Sequence, residues 1–357
     1  MVLRPLTRIV LEGLMETILI ALGLTLAALY AWVIGGNDMA NIIGTLIGGN
    51  VCRYKYAVIL FAFTVLAGSL LQGYMVMKTM GKGIVPELDL AGAVSASVAA
   101  ITWVFIATLL GMPISTSQSA VAGVLGVGLS RITLTRDWSQ VNLGVLRNIV
   151  LSWVVSPLLA LVVSMLLYIA FSKIFSKASK AENIVKLLAL VFAGFDGYSF
   201  GANDVANAVG VYLAIAGTFE AVKLPGLTSA QVLALYGAVF IALGGAFMGK
   251  RVVETVGFRI TRLDPVGALV QNLVSSTSVW LFTTIPYMLF GFGMPVSTTY
   301  IAVGSVIGIG IAKHRSFKGV NLKLVATILL SWVLTILVGA LIAMSVYYAI
   351  LGVIKGV

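Results

Sequence analysis

Charged side chains are scarce in this chain, at 10% of 357 residues, where a soluble domain carries roughly 25%. That is too few to cover a water-facing surface. There is one cysteine, Cys52, which excludes an internal disulfide, and one histidine, His314. His314 sits in a basic loop with Lys313, Arg315 and Lys318 and reads as a surface residue. Without clustered thiols or imidazoles, a transition-metal site is not expected. No nucleophile–base pair and no nucleotide-binding glycine-rich loop is legible, which argues against an enzyme and an ATP-driven pump. The formal charge of +11 lies between hydrophobic runs and not in an aromatic-interleaved stripe, so nucleic acid is not an expected partner.

Apolar residues make up 60% of the chain. They gather into runs at 17–34, 57–77, 90–111, 145–171, 230–248 and 323–354, each long enough to cross a hydrocarbon core of roughly 30 Å as helix. The fold class expected is an all-α integral membrane protein. Glu12 and Glu16 interrupt what would be the apolar core of a secretion signal, and no small-residue cleavage site follows, so the N-terminus reads as part of the first spanning helix.

The sequence repeats itself. Gly35-Gly36-Asn37-Asp38-Met39-Ala40-Asn41 returns as Gly201-Ala202-Asn203-Asp204-Val205-Ala206-Asn207, and Gly111-Met112-Pro113-Ile114-Ser115-Thr116-Ser117 as Gly293-Met294-Pro295-Val296-Ser297-Thr298-Thr299. Leu151-Ser152-Trp153-Val154 is echoed by Leu330-Ser331-Trp332-Val333. Three motifs in the same order indicate duplication. Equivalent loops carry different charge. The 51–56 loop, with Arg53 and Lys55, is basic, whereas its partner at 218–229, with Glu220 and Lys223, is neutral. The 78–89 loop (Lys78, Lys82, Glu87, Asp89) is neutral, and its partner at 250–264 is basic. Positive charge collects on the cytoplasmic side, so these loops belong on opposite faces and the halves read as inverted-topology repeats. The expected organisation is a first repeat at 1–172, a basic cytoplasmic linker at 173–186 (Lys173, Lys177, Lys180, Lys186) and a second repeat at 187–357. Both termini would lie outside a plasma or inner membrane. The 131–144 loop, with Arg131, Arg136 and Asp137, fits that topology poorly.

Both motifs interrupt apolar sequence. Pro113 and Pro295 lack the N–H that a helix interior needs, and Gly35, Gly36 and Gly201 permit unwinding. The stretches that follow, at 37–50, 118–130, 203–217 and 299–312, read as half-helices or re-entrant hairpins, tolerated at membrane depth only where protein or a polar cavity receives them. Asp38 and Asp204 are carboxylates in apolar surroundings, where a charge costs roughly 2.5–3.5 kcal/mol on insertion scales. A helix cap is the alternative role for each, but recurrence at equivalent places favours function. Asn37, Asp38 and Asn41, like Asn203, Asp204 and Asn207, fall on one helical turn. Each set offers hard oxygens suited to a hard cation, sodium being the natural one. Ser115, Thr116 and Ser117, and Ser297, Thr298 and Thr299, place hydroxyls and free N–H groups at a helix start, which suits an anion. Ordinary capping and small-residue packing are the alternatives. Gln118 adds an amide beside the first triplet, where the second half has Tyr300. No Lys, Arg or His lies well inside a predicted span, so an anion entering beside two carboxylates must bring cations with it.

Other residues are less defined. Asp196, in register with Tyr30, either lines the pathway or caps a break. Gln72 and Gln271 are placed for bonds between helices. Trp153 and Trp332 suit interfacial anchors. Gly123, Gly126, Gly128, Gly304, Gly308 and Gly310 suit close packing.

The paired N-D-x-A-N and G-M-P-[IV]-S-T-[ST] motifs resemble the PiT family of inorganic phosphate transporters, over about residues 13 to 350. The resemblance implies phosphate symport with sodium, or with protons in many bacterial members, by a homodimer of roughly twelve-helix subunits without a resident cofactor. By motif, the six Asn and Asp residues become cation ligands and the six Ser and Thr residues phosphate ligands. The contexts Ile42-Ile43-Gly44-Thr45-Leu46-Ile47-Gly48 and Gly304-Ser305-Val306 look more like the sodium-coupled branch. The large cytoplasmic domain of animal members is absent, which implies a compact prokaryotic form. The expected function is sodium-coupled phosphate import by alternating access. Proton coupling, sulfate as cargo and, from another class, an anion channel are the rivals.

Overall fold

The computed structural model describes residues 3–86, 88–175, 181–213 and 224–355, with side chains from residue 21 onward except at 82, 213, 354 and 355. Glu87, Lys177, Lys180, Glu220 and Lys223, and the side chains of Glu12, Glu16 and Lys82, therefore lie outside the described residues.

Apolar sequence with no water to satisfy its backbone must bond internally, and helix is how a single segment does so. Helices α1 (Leu3–Gly48), α2 (Tyr54–Gln72) and the short α3 (Tyr74–Lys78) lead through a π-helical segment at Thr79–Gly83. A helical hairpin follows, α4 (Leu90–Leu109) and α5 (Thr116–Thr135), then a 3₁₀ turn at Trp138–Gln140 and α6 (Leu143–Phe175). The same order then recurs. It runs through α7 (Ala181–Leu213), α8 (Ser229–Met248), α9 (Lys250–Glu254), a second π-helical segment at Thr255–Arg259, α10 (Pro265–Phe290), α11 (Thr298–His314), a 3₁₀ turn at Phe317–Gly319 and α12 (Leu322–Lys355). Among the described residues seven helices, α2, α4, α6, α7, α8, α10 and α12, are long and apolar enough to cross a membrane.

The two halves are packed into one another. Helix α1 lies against α8, α2 against α7, α5 against α12 and α6 against α11. The contacts are close because glycine stands where they cross. A Cβ on Gly35 would meet the carbonyl oxygen of Ile241 at 1.8 Å, and one on Gly201 that of Val65 at 2.4 Å. Gly123, Gly126, Gly304 and Gly308 sit in the same way against the backbones of Ala96, Ala340, Pro157 and Leu161, as their close-packing role required.

Three expectations are corrected here. The N-D-x-A-N segments are not broken: α1 and α7 run through them as continuous helix. Gly35, Gly36 and Gly201 are there for helix approach, not unwinding, and 37–48 and 203–213 are the ends of long helices. At about 1.5 Å per residue, the 46-residue α1 is more than twice as long as a ~30 Å core requires. Trp153 and Trp332 are not interfacial anchors, for both are buried. Trp332 stacks on Tyr300 with ring centroids 3.7 Å apart and its Nε1 donates to the carbonyl of Pro113 at 3.3 Å. Asp196 lies in mid-helix in α7, so it caps no break. The proline breaks themselves are where the sequence places them: the backbone is non-helical from Met112 to Ser115 and from Gly293 to Ser297, and α5 and α11 start afresh beyond.

Candidate functional site

The long helices α1 and α7 carry the two carboxylates, and the broken hairpins α4–α5 and α10–α11 carry the two hydroxyl triplets. Ser115 and Ser297 are the caps of α5 and α11. Their Oγ atoms accept from the N–H groups of Gln118 (3.0 Å) and Tyr300 (3.1 Å). That leaves the N–H groups of Thr116, Ser117, Thr298 and Thr299 without an intrahelical acceptor, as in the first turn of any helix.

Asn37 holds the first break in place. Its Nδ2 donates to Thr108 Oγ1 and the Met112 carbonyl, both at 3.0 Å, and its Oδ1 accepts from the Ile114 N–H at 3.1 Å. Asn203 does the same for the second break, through Thr283 (2.7 Å), Met294 (3.0 Å) and Val296 (3.3 Å). Both amides are committed to the hairpins. The π-helical segments add a support that crosses halves. Thr79 Oγ1 donates to the Gly293 carbonyl at 2.7 Å and Thr255 Oγ1 to that of Gly111 at 2.8 Å. Thr108, Thr283, Thr79 and Thr255 escaped the sequence reading. The echo Thr79-Met80-Gly81 against Thr255-Val256-Gly257 was the available signal for the latter pair.

The third residue of each triplet reaches the carboxylate of the other half. Ser117 Oγ donates to Asp204 Oδ1 at 3.0 Å and lies 3.0 Å from the Val296 carbonyl. Thr299 Oγ1 donates to Asp38 Oδ1 at 3.2 Å and lies 3.0 Å from the Ile114 carbonyl. Asn41 Nδ2 donates to Thr299 Oγ1 (3.0 Å) and Asn207 Nδ2 to Ser117 Oγ (2.9 Å). The middle residues stay in their own half. Thr116 Oγ1 donates to Asp38 Oδ2 at 2.5 Å, and Thr298 neighbours Asp204. Every residue of this constellation is buried. Gln118 and Tyr300, the residues after the two triplets, join α5 to α11, with the Tyr300 hydroxyl donating to Gln118 Oε1 at 2.6 Å.

Three oxygens in this set, Asn41 Oδ1, Asn207 Oδ1 and Asp204 Oδ2, are buried with no hydrogen-bond partner among the described residues. No ion pair of the described residues reaches Asp38 or Asp204. The pairs are Arg131–Asp89, Lys186–Glu182, Arg259–Glu254 and Lys313–Asp264. Orphaned acceptors beside carboxylates, all of them oxygen, are the donors that suit a hard cation. The first-turn N–H groups at the starts of α5 and α11 suit an oxyanion.

The sequence and the fold find counterparts. The family model described as the phosphate transporter family matches residues 34–343. The chain belongs to the phosphate transporter family. It is similar to a solved structure titled the sodium-dependent phosphate transporter, at 28% identity and a TM-score of 0.79, covering 94% of this chain and 99% of that one. A protein of Thermococcus kodakarensis, provisionally named a phosphate permease, is 29% identical over 92% of this chain and 96% of its own. The sulfate permease CysP of Bacillus subtilis is 34% identical over 86% of this chain and 81% of its own. The family is one of permeases and not of enzymes, and with seven apolar helices among the described residues the chain is a multi-pass membrane protein.

Proposed function

We propose that the chain imports inorganic phosphate by symport with sodium, alternating access around the Asp38–Asp204 constellation. The observation that carries this reading is the exchange of hydroxyls between halves. Ser117 serves Asp204 and Thr299 serves Asp38, so neither half has a complete site alone, and a shift of one half against the other rearranges both at once. The carboxylates have no fixed counter-charge among the described residues. Sodium at Asp38, Asn41, Asp204 and Asn207 supplies it, and the oxyanion then binds at the starts of α5 and α11, with Gln118 beside it. Asn37 and Asn203, engaged with the breaks, position the site.

The finer architecture belongs to the same proposal: two inverted repeats, a cytoplasmic linker near 173–186, both termini outside and a homodimer. The repeated element order and the different charge of equivalent loops, basic in one half and neutral in the other, support inversion. Sizing in detergent tests the dimer. Sulfate is a second reading, favoured by the 34% identity to a sulfate permease. Uptake of labelled phosphate into proteoliposomes, with sulfate as competitor, tests the proposal. Competition only by a large excess of sulfate supports phosphate, and preferential sulfate uptake overturns it.

A further inference from the structure

The face of α7 that carries Asn203 and Asn207 continues toward its N-terminus, at helical spacing, with Ser199 and Asp196. Both are buried, at 0% and 1% exposure, and neither touches the constellation above. Asp196 Oδ1 accepts from Ser275 Oγ at 2.8 Å, and the amide of Gln271 is its other polar neighbour. Asp196 Oδ2 and Ser199 Oγ have no hydrogen-bond partner among the described residues. Gln271 ties this carboxylate to the first motif, since its Nε2 donates to the Asn41 carbonyl at 3.0 Å while its Oε1 accepts from Thr45 at 2.7 Å. Asn272 Nδ2 donates to Thr45 Oγ1 at 3.0 Å, leaving its Oδ1 unpartnered. Helices α1, α7 and α10 thus meet in one buried polar cluster.

Its counterpart in the other half is largely apolar and holds no carboxylate. Aligned on Asn37 with Asn203, and on the capping Asp89 with Asp264, the positions of Asp196, Ser199, Gln271, Ser275 and Thr45 are taken by Tyr30, Val33, Ala96, Ala100 and Val211. Two counterparts carry a polar atom: Ser97 stands at the place of Asn272, and the Tyr30 hydroxyl, at the place of Asp196, donates to the Thr116 carbonyl at 2.7 Å. Packing therefore does not require the carboxylate, because the fold is built once without it. A buried, uncompensated carboxylate is costly, and it is retained here beside orphaned oxygens with no amine, imidazole or thiol in the cluster.

We propose that Asp196, Ser199, Asn272 and Ser275 form a further sodium site, one that breaks the symmetry of the halves and adds a cation to those bound at Asp38 and Asp204. The proposal rests on the sodium-coupled reading. Its test is equilibrium binding of labelled sodium to the purified full chain at fixed pH, with flux ratios in proteoliposomes alongside. Asp196→Asn keeps shape and loses charge. The expected result is one fewer sodium bound per chain, and one fewer carried per phosphate, with substrate uptake retained at high sodium. Ser199→Ala, conservative enough to fold, is expected to raise the half-saturating sodium concentration roughly tenfold. A folded Asp196→Asn chain with the wild-type sodium count overturns the site. So does an unchanged count with an altered pH dependence, which would make Asp196 a proton carrier. Failure of the functional reading looks different: the wild-type chain itself would bind sodium without sodium-dependent uptake.

Discussion

Ser117 and Asp204 stand on opposite halves of the chain and meet at 3.0 Å, Oγ to Oδ1, with Asn207 bridging them at 2.9 Å to each. The relation recurs between Thr299 and Asp38. A carboxylate is thus held by its partner half at both sites, and the site is assembled or dismantled with the fit between halves.

Removing either charge should remove coupling. Truncating one member of a buried charge pair costs roughly 3–5 kcal/mol, a hundredfold or more in affinity. Asp38→Asn and Asp204→Asn should each abolish sodium-dependent uptake while the purified protein elutes as wild type. Wild-type rates in both would sink the assignment of the carboxylates.

The crossing hydroxyls should act through the cation. A hydrogen bond to a charged group contributes about 1.5–3 kcal/mol. Ser117→Ala and Thr299→Ala should therefore raise the half-saturating sodium concentration by about 10- to 100-fold. Sodium titration of initial uptake rates measures it, and a change confined to the maximal rate would count against the role.

Close helix approach should be sensitive to a single methyl. Gly35→Ala places a Cβ 1.8 Å from the Ile241 carbonyl oxygen, whereas Gly194→Ala meets only side-chain atoms at 3.6 and 3.7 Å. Overpacking costs about 1–3 kcal/mol or more. A thermal-shift assay should show Gly35→Ala clearly destabilised and Gly194→Ala at or slightly above wild type, since alanine favours helix.

At the start of α10, Asp264 caps the helix through the Gly267 N–H (2.8 Å), accepts from Tyr168 (2.6 Å) and pairs with Lys313 (3.0 Å). Burial pushes its carboxyl upward, but the Tyr168, Gly267 and Lys313 contacts outweigh that and hold it below the usual carboxylate range. A depressed folded value means stability that is full above the ordinary carboxylate range and lost as pH falls through the folded value. Asp264→Asn should melt lower than wild type at pH 7, and the gap should close as pH drops below about 4. A gap independent of pH would contradict this.

Much of this was legible in the sequence. Composition gave the membrane helices, and the prolines at 113 and 295 marked both breaks. The doubled motifs pointed to the residues that the fold gathers. What escaped was three-dimensional. Glycine reads alike whether it lets a helix unwind or lets another approach, and only packing against Ile241 and Val65 decides for Gly35 and Gly201. The pairing of Ser117 with Asp204 joins residues 87 apart in sequence, and no local pattern encodes it. Trp332 was misread because apolar surroundings look the same from lipid and from a protein interior.

The central claim is that an oxyanion cannot enter beside Asp38 and Asp204 unless a cation enters too. Phosphate binding to the purified protein, measured at constant pH and ionic strength in sodium and then in N-methyl-D-glucamine, tests it most directly. The account predicts saturable binding in sodium and its loss in the organic cation. Equal affinity in both would contradict it.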